Sequence, residues 1–135
     1  MLEKIKILKT GKAKALYTTS DASKLIMEYR DDTSAFDGKK IEQLAGKGIV
    51  NNRFNSHIMD HLQLEGVDNH HIEATSPNES VVMSLDMFPI ECVVRNFAAG
   101  SICKRLGLEE AMVMDPPIFE FFFKDDSLGD PLIND

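Results

Sequence analysis

Three basic residues, Arg95, Lys104 and Arg105, fall within eleven positions of an otherwise acidic stretch. Residues 54–135 carry 4 Lys+Arg against 15 Asp+Glu, whereas residues 1–53 carry 11 against 7. Cations concentrated in an acidic half suit either a bound anion or a solvated helix face. The run Phe88-Pro-Ile-Glu-Cys-Val-Val-Arg-Asn-Phe-Ala-Ala-Gly-Ser101 favours the anion. It reads as a strand carrying Arg95, a turn of small residues, and a helix starting near Gly100-Ser101. Free N–H groups at a helix start attract anions. Ser101 adds a hydroxyl and Arg95 a guanidinium fork, which together suit a phosphomonoester. The alternative is an ordinary capped helix beside a structural arginine. Glu91, on the same strand face as Val93 and Arg95, is then a polar ligand contact or the partner of Arg95.

Gly11-Lys12-Ala13-Lys14 lies between two strand candidates. Glycine permits close approach of the backbone to a phosphate, and alternating lysines place two ammonium groups on one strand face. A hairpin of this kind resembles the glycine-rich loop that covers polyphosphate in kinases. No Walker A sequence occurs, and the spacing by itself describes a solvated lysine face on an edge strand better than a phosphate contact. Asp31-Asp-Thr-Ser-Ala-Phe-Asp37-Gly38 gathers three carboxylates and two hydroxyls. An EF-hand counted from Asp31 needs glycine at its sixth position and meets Phe36, so that loop is excluded. Composition favours a local turn; the alternative is a site that holds a polar substrate or positions magnesium. His57 and His61 are four apart on a helical stretch, but Ile58 replaces the glutamate of a zinc-protease motif, and a solvent-facing pair is expected. Cys92 and Cys103 have no metal-ligand spacing and read as small apolar residues.

The elements that must position these residues follow from periodicity. Ile5 and Ile7 alternate with Lys4 and Lys6. After Gly11, residues 13–17 alternate loosely, and residues 24–30 put Leu25, Met27 and Tyr29 on one face. Connections this short predict an antiparallel meander. Residues 31–40 read as a polar loop. Val50, Phe54, Ile58 and Leu62 recur every fourth residue and predict a helix, with Gly66 as its stop. Short strands are expected around residues 71–74 and 81–85, a strand over 89–97, and a helix over 99–106 ended by Gly107. Pro116-Pro117 marks a loop, and Ile118–Phe123 a buried strand. The expected fold is α+β: an antiparallel, strand-rich lobe over residues 1–85, then a second α+β lobe over 86–135.

Composition narrows the function classes. A formal net charge of −7 argues against a nucleic-acid partner. No apolar run approaches the ~20 residues that span a bilayer, and the first residues lack the apolar core of a signal peptide. Two cysteines are too few for a disulfide scaffold, which makes the cytoplasm the expected compartment.

Taken together, Gly11-Lys-Ala-Lys14, Asp32-Thr-Ser-Ala-Phe-Asp-Gly38, Gly48-Ile-Val-Asn-Asn-Arg-Phe-Asn55, Pro89–Ser101, Pro116–Asp126 and Asp130-Pro-Leu-Ile-Asn134 resemble the phosphoribosylaminoimidazole-succinocarboxamide synthase (SAICAR synthetase) family. The resemblance runs in order through essentially the whole chain, and Pro89–Ser101 is its most specific segment. It implies an ATP-dependent ligase of purine biosynthesis that joins L-aspartate to the carboxylate of carboxyaminoimidazole ribonucleotide. It also implies a kinase-type nucleotide lobe, ATP and Mg2+ as cofactors, and self-association. By the same resemblance, Lys12, Lys14 and Lys124 meet ATP phosphates, while Arg95, Ser101 and Gly100 hold the ribonucleotide phosphate. Asp37 and Glu91 lie near the reacting groups. The family's proteins continue past residue 135 with a second signature, Asp-x-Lys-(apolar)-Glu-Phe-Gly, that carries the principal magnesium-binding acids and is not found here. A truncated form is therefore expected, with no metal ligands of its own; the alternative is a non-catalytic nucleotide-binding or regulatory fragment.

Overall fold

A computed structural model describes residues 2–35 and 40–134, and the chain divides into two compact units, Met1–Asp86 and Met87–Asp135. Asp37 lies outside the described residues. The first unit contains β1 (Lys6–Thr10), β2 (Lys14–Thr18), β3 (Lys24–Tyr29), β4 (Asp32–Ala35), β5 (Lys40–Gln43), α1 (Lys47–Leu64), β6 (His71–Ser76) and β7 (Glu79–Met83). Five strands form an antiparallel sheet in the order β1-β2-β3-β7-β6, so the expected meander is present. Of the stretch expected to be a polar loop, residues 32–35 and 40 instead belong to the paired antiparallel strands β4 and β5, with Asp32 opposite Gln43 and Thr33 opposite Glu42. Pairing between backbones supplied what the polar side chains gave no sign of.

Met27 and Tyr29 pack with Val82, and Leu16 and Leu25 close around them. In register, Leu25 faces Val82 and Met27 faces Ser80, so all of these lie on one face of the sheet. That face meets α1, because the Ser80 hydroxyl donates to Asn52 Oδ1 at 2.6 Å. The helix exists where the four-residue repeat places it, yet the repeat is not its packing stripe. Val50 and Phe54 are 65% and 68% exposed, whereas Gly48 and Asn52 are buried. Contact here demands close approach: a Cβ on Gly48 would sit 2.4 Å from the Tyr29 carbonyl oxygen. Bulky side chains belong on the other faces of this helix.

The start of α1 is capped from a distance. Gly46 adopts φ +83° and offers no capping side chain, leaving the first amides without helical partners. The Asp31 carboxylate accepts from Gly48 N at 2.8 Å and from Gly46 N at 3.1 Å. These hydrogen bonds, that of Gly48 foremost, hold the Asp31 pKa below its ordinary 3.8. A depressed carboxylate pKa adds stability that is fully present above about 3.8 and fades as pH falls through the folded value. Asp31→Asn is thus expected to be less stable than the wild type at neutral pH, with the gap narrowing in acid. Urea midpoints measured down a pH series test this; a gap that stays constant into strong acid contradicts it.

The second unit contains β8 (Ile90–Phe97), α2 (Ser101–Leu106), β9 (Val113–Phe123), a 3-10 turn (Asp126–Leu128) and β10 (Leu132–Ile133), with sheet order β10-β9-β8. Ala98, Ile102 and Met114 form its core, against which Cys103, Leu108 and Ile118 pack. The helix ends as expected: Gly107 takes φ +66°, ψ +32°, a left-handed conformation that glycine adopts without penalty. Pro116 and Pro117 lie within β9 and not in a loop. The register explains how a strand tolerates them, since pairing passes from Arg95–Ile118 to Phe97–Val113 and skips Met114–Pro117. Prolines have no N–H to lose where no ladder bond is made. Within Ile118–Phe123, Glu120 is buried and Phe119 is 58% exposed, so the expected buried strand holds an acid at its centre.

Candidate functional site

In the second unit, strand alternation places Glu91, Val93 and Arg95 on one face of β8, opposite Phe122, Glu120 and Ile118 of β9. Arg95 reaches diagonally across the pair, and its Nε donates to Glu120 Oε2 at 2.6 Å. The remaining nitrogens turn to the small-residue segment that follows β8. Nη1 donates to the Ala99 carbonyl at 3.2 Å and Nη2 to Ser101 Oγ at 3.4 Å. The structure thus brings Arg95, Gly100 and Ser101 together, with Gly100 at the position that precedes α2. Arg105, from the last turn of α2, donates to Glu120 Oε1 and lies 5.7 Å from the centre of the Phe122 ring.

Burial alone would raise the Glu120 pKa. Hydrogen bonds from Arg95 and Arg105, together with their charges, more than reverse this and hold it below the ordinary 4.5. One buried carboxylate between two guanidiniums leaves a net positive cluster with a hydroxyl at its edge, an arrangement that attracts anions. Glu91 is not the partner of Arg95. It sits 3.4 Å from Lys124, whose Nζ also donates to Asp130 at 2.6 Å. The hydrogen bond to Asp130 raises the Lys124 pKa most; desolvation opposes it, and Glu91 adds to the rise. Glu91 and Lys124 are thereby held together, separately from the contacts of Arg95.

In the first unit, Gly11, Lys12 and Ala13 form the turn between β1 and β2, closed by Gly11 N donating to Lys14 O at 2.8 Å. Lys12 stands in the turn and Lys14 opens β2, so the two lysines do not share one strand; both are exposed. Lys14 also borders a recess of about 390 Å³ with Ala13, Tyr29, Val50, Phe54 and Ile58. Exposed ammonium groups on a tight turn suit phosphate oxygens. His57 and His61 are exposed on α1. Among the described residues no three His, Cys, Asp or Glu side chains are grouped to hold a metal ion.

The sequence reading missed Glu120 and the role of Arg105. A carboxylate inside Ile-Phe-Glu-Phe-Phe-Phe was the available signal, because an acid in an apolar strand needs a buried cationic partner.

These features define a class: a predominantly stranded, antiparallel α+β protein with a lysine turn in one unit and an arginine–carboxylate cluster in the other. Residues 7–135 match the family described as SAICAR synthetase, and the chain belongs to that family. It is 60% identical over 134 residues to the phosphoribosylaminoimidazole-succinocarboxamide synthase of Alcanivorax borkumensis, covering 99% of this chain and 56% of that protein. The enzyme of the same name from Acinetobacter baylyi is 56% identical over 129 residues, with 96% and 54% covered. Among solved structures, that from Ehrlichia chaffeensis superimposes with a TM-score of 0.93 at 34% identity, covering 96% of this chain and 55% of that one. A SAICAR synthetase (Type-2) in complex with ADP gives 0.89 at 42% identity, again covering 96% and 55%. The chain spans little more than half the length of these relatives.

Proposed function

We propose that the protein carrying this chain is an ATP-dependent carboxylate–amine ligase of purine biosynthesis, acting in the cytoplasm. It joins the amino group of L-aspartate to the carboxylate of carboxyaminoimidazole ribonucleotide. The observation that carries the reading is the convergence of Arg95 and Ser101, Nη2 to Oγ at 3.4 Å, within the segment most specific to the family. A guanidinium fork and a hydroxyl side by side suit the terminal oxygens of a phosphomonoester. Binding energy taken up at that remote phosphate holds the reacting carboxylate in place.

The chemistry sets the other roles. A carboxylate is a poor electrophile at neutral pH. Its oxygen attacks the γ-phosphorus of ATP, the bond to the bridging oxygen breaks, and ADP leaves. The aspartate amine, having given up a proton, attacks the acyl carbon, and inorganic phosphate departs with the carbon–oxygen electron pair. Lys12, Lys14 and Lys124 neutralise charge on the nucleotide phosphates. Glu91 and Asp37 are the carboxylates assigned to the ribonucleotide and aspartate, where a carboxylate orients an amine and takes its proton. The relative named as an ADP complex supports nucleotide binding in this family.

The test is ADP release, followed alongside succinocarboxamide formation by mass. Release that requires ribonucleotide, aspartate and ATP together, with one amide formed per ADP, supports the reading. ADP release with no amide, or no release at all, contradicts it.

A further inference from the structure

Glu120 is 8% exposed, and both of its carboxylate oxygens are engaged, Oε2 by Arg95 and Oε1 by Arg105. It stands opposite Val93 in the β8–β9 register, two residues from Arg95 on the same face. A guanidinium is planar, so fixing the direction of its Nε–H fixes the plane and the direction of the Nη edge. In Arg95 that edge points at the Ala99 carbonyl and Ser101 Oγ. Arg105 is itself steadied over the Phe122 ring at 5.7 Å, an attraction between a cation and the negative face of an aromatic. The chain of support therefore runs from Phe122 through Arg105 and Glu120 to Arg95.

We infer that Glu120 is a positioning residue: held by Arg105, it takes the Nε edge of Arg95 and turns the Nη edge toward Ser101 to receive a phosphomonoester. This rests on the reading that Arg95 and Ser101 bind the phosphate. A simpler role, in which Glu120 only neutralises a half-buried arginine, makes the opposite forecast. Removing its negative charge would then raise the local positive potential and tighten anion binding. Positioning demands weaker binding despite the added positive charge.

Calorimetric titration with D-ribose 5-phosphate, a probe that carries the phosphomonoester alone, separates the two. The near-isosteric Glu120→Gln cannot accept both guanidiniums as an anion, and losing a charge-assisted contact of ~1.4 kcal/mol weakens binding about tenfold. The expected result is binding by the wild type, none detected for Arg95→Ala, and a Kd raised about tenfold or more for Glu120→Gln. Equal or tighter binding by Glu120→Gln, with Arg95→Ala still silent, overturns the positioning role and leaves the phosphate reading standing. Wild type and Arg95→Ala behaving alike, whether both bind or neither does, overturns the phosphate reading and this inference with it. A measurement on the wild type alone guards against a variant that fails to fold. The Arg95 Nε–H resonance is expected to exchange slowly with solvent and to keep its position as ribose 5-phosphate is added. A resonance already in fast exchange, or one that moves to the phosphate, overturns the role assigned to Glu120.

Discussion

Arg95→Ala is expected to lower kcat/KM for succinocarboxamide formation by about 10²–10⁴-fold, from the loss of two charge-assisted hydrogen bonds worth ~1.5–3 kcal/mol each. The phosphate is remote from the bond being made, so most of the loss is expected in KM for the ribonucleotide, with a smaller fall in kcat. Arg95→Lys distinguishes fork from charge. Lysine keeps the cation but cannot reach Glu120, the Ala99 carbonyl and Ser101 at once, as Arg95 does. It should recover only part of the activity. Steady-state kinetics with ribonucleotide as the varied substrate decides the matter. Wild-type turnover and KM in Arg95→Ala would remove Arg95 from the phosphate site. A loss confined to KM for ATP would move it to the nucleotide.

The largest effect on stability is expected from Asn52→Ala. Asn52 is 1% exposed and sits where α1 meets the β6–β7 turn. Its Nδ2 lies 3.1 Å from the Ser76 carbonyl oxygen and 3.2 Å from those of Pro77 and Glu79. Its Oδ1 accepts from the Ser80 hydroxyl at 2.6 Å, and Ser80 is fully buried. One amide thus satisfies a turn's carbonyls and an inward-facing hydroxyl. Truncation strands these groups away from water, at roughly 1–3 kcal/mol for each buried group left unpaired. A total loss of about 2–6 kcal/mol follows if two groups stay unpaired. Urea unfolding measures it, and a loss under about 1 kcal/mol would mean that water or a relaxed turn replaces the amide. The double variant Asn52→Ala, Ser80→Ala should be less destabilised than the sum of the single changes, because removing both partners leaves one fewer orphan.

Asn52 also shows why the helix was easier to find than its orientation. A four-residue repeat of Val50, Phe54, Ile58 and Leu62 signals a helix whatever the face it marks. What packs on the sheet is set by how near two backbones come. The gap between Gly48 and the Tyr29 carbonyl admits no side chain, so the contact is made by glycine and by an amide that serves the β6–β7 turn. Similarly, Asp31 and its neighbours read as a turn or a polar-substrate loop. Only folding brings Asp31 to amides 15 and 17 residues away and makes it the cap of α1.

Local information determined much of this protein: the five strands of the first unit's larger sheet, both helices, the glycine that ends α2, and the Arg95–Ser101 segment. Each depends on residue type and on spacing within one element, which a linear reading contains. The tertiary structure decided the pairings between elements. Glu91 went to Lys124, and Arg95 went to Glu120, 25 residues away. Charge alone permits any acid to pair with any base. The β8–β9 register and the seat of Arg105 over Phe122 choose among them, and those depend on contacts that no single segment carries.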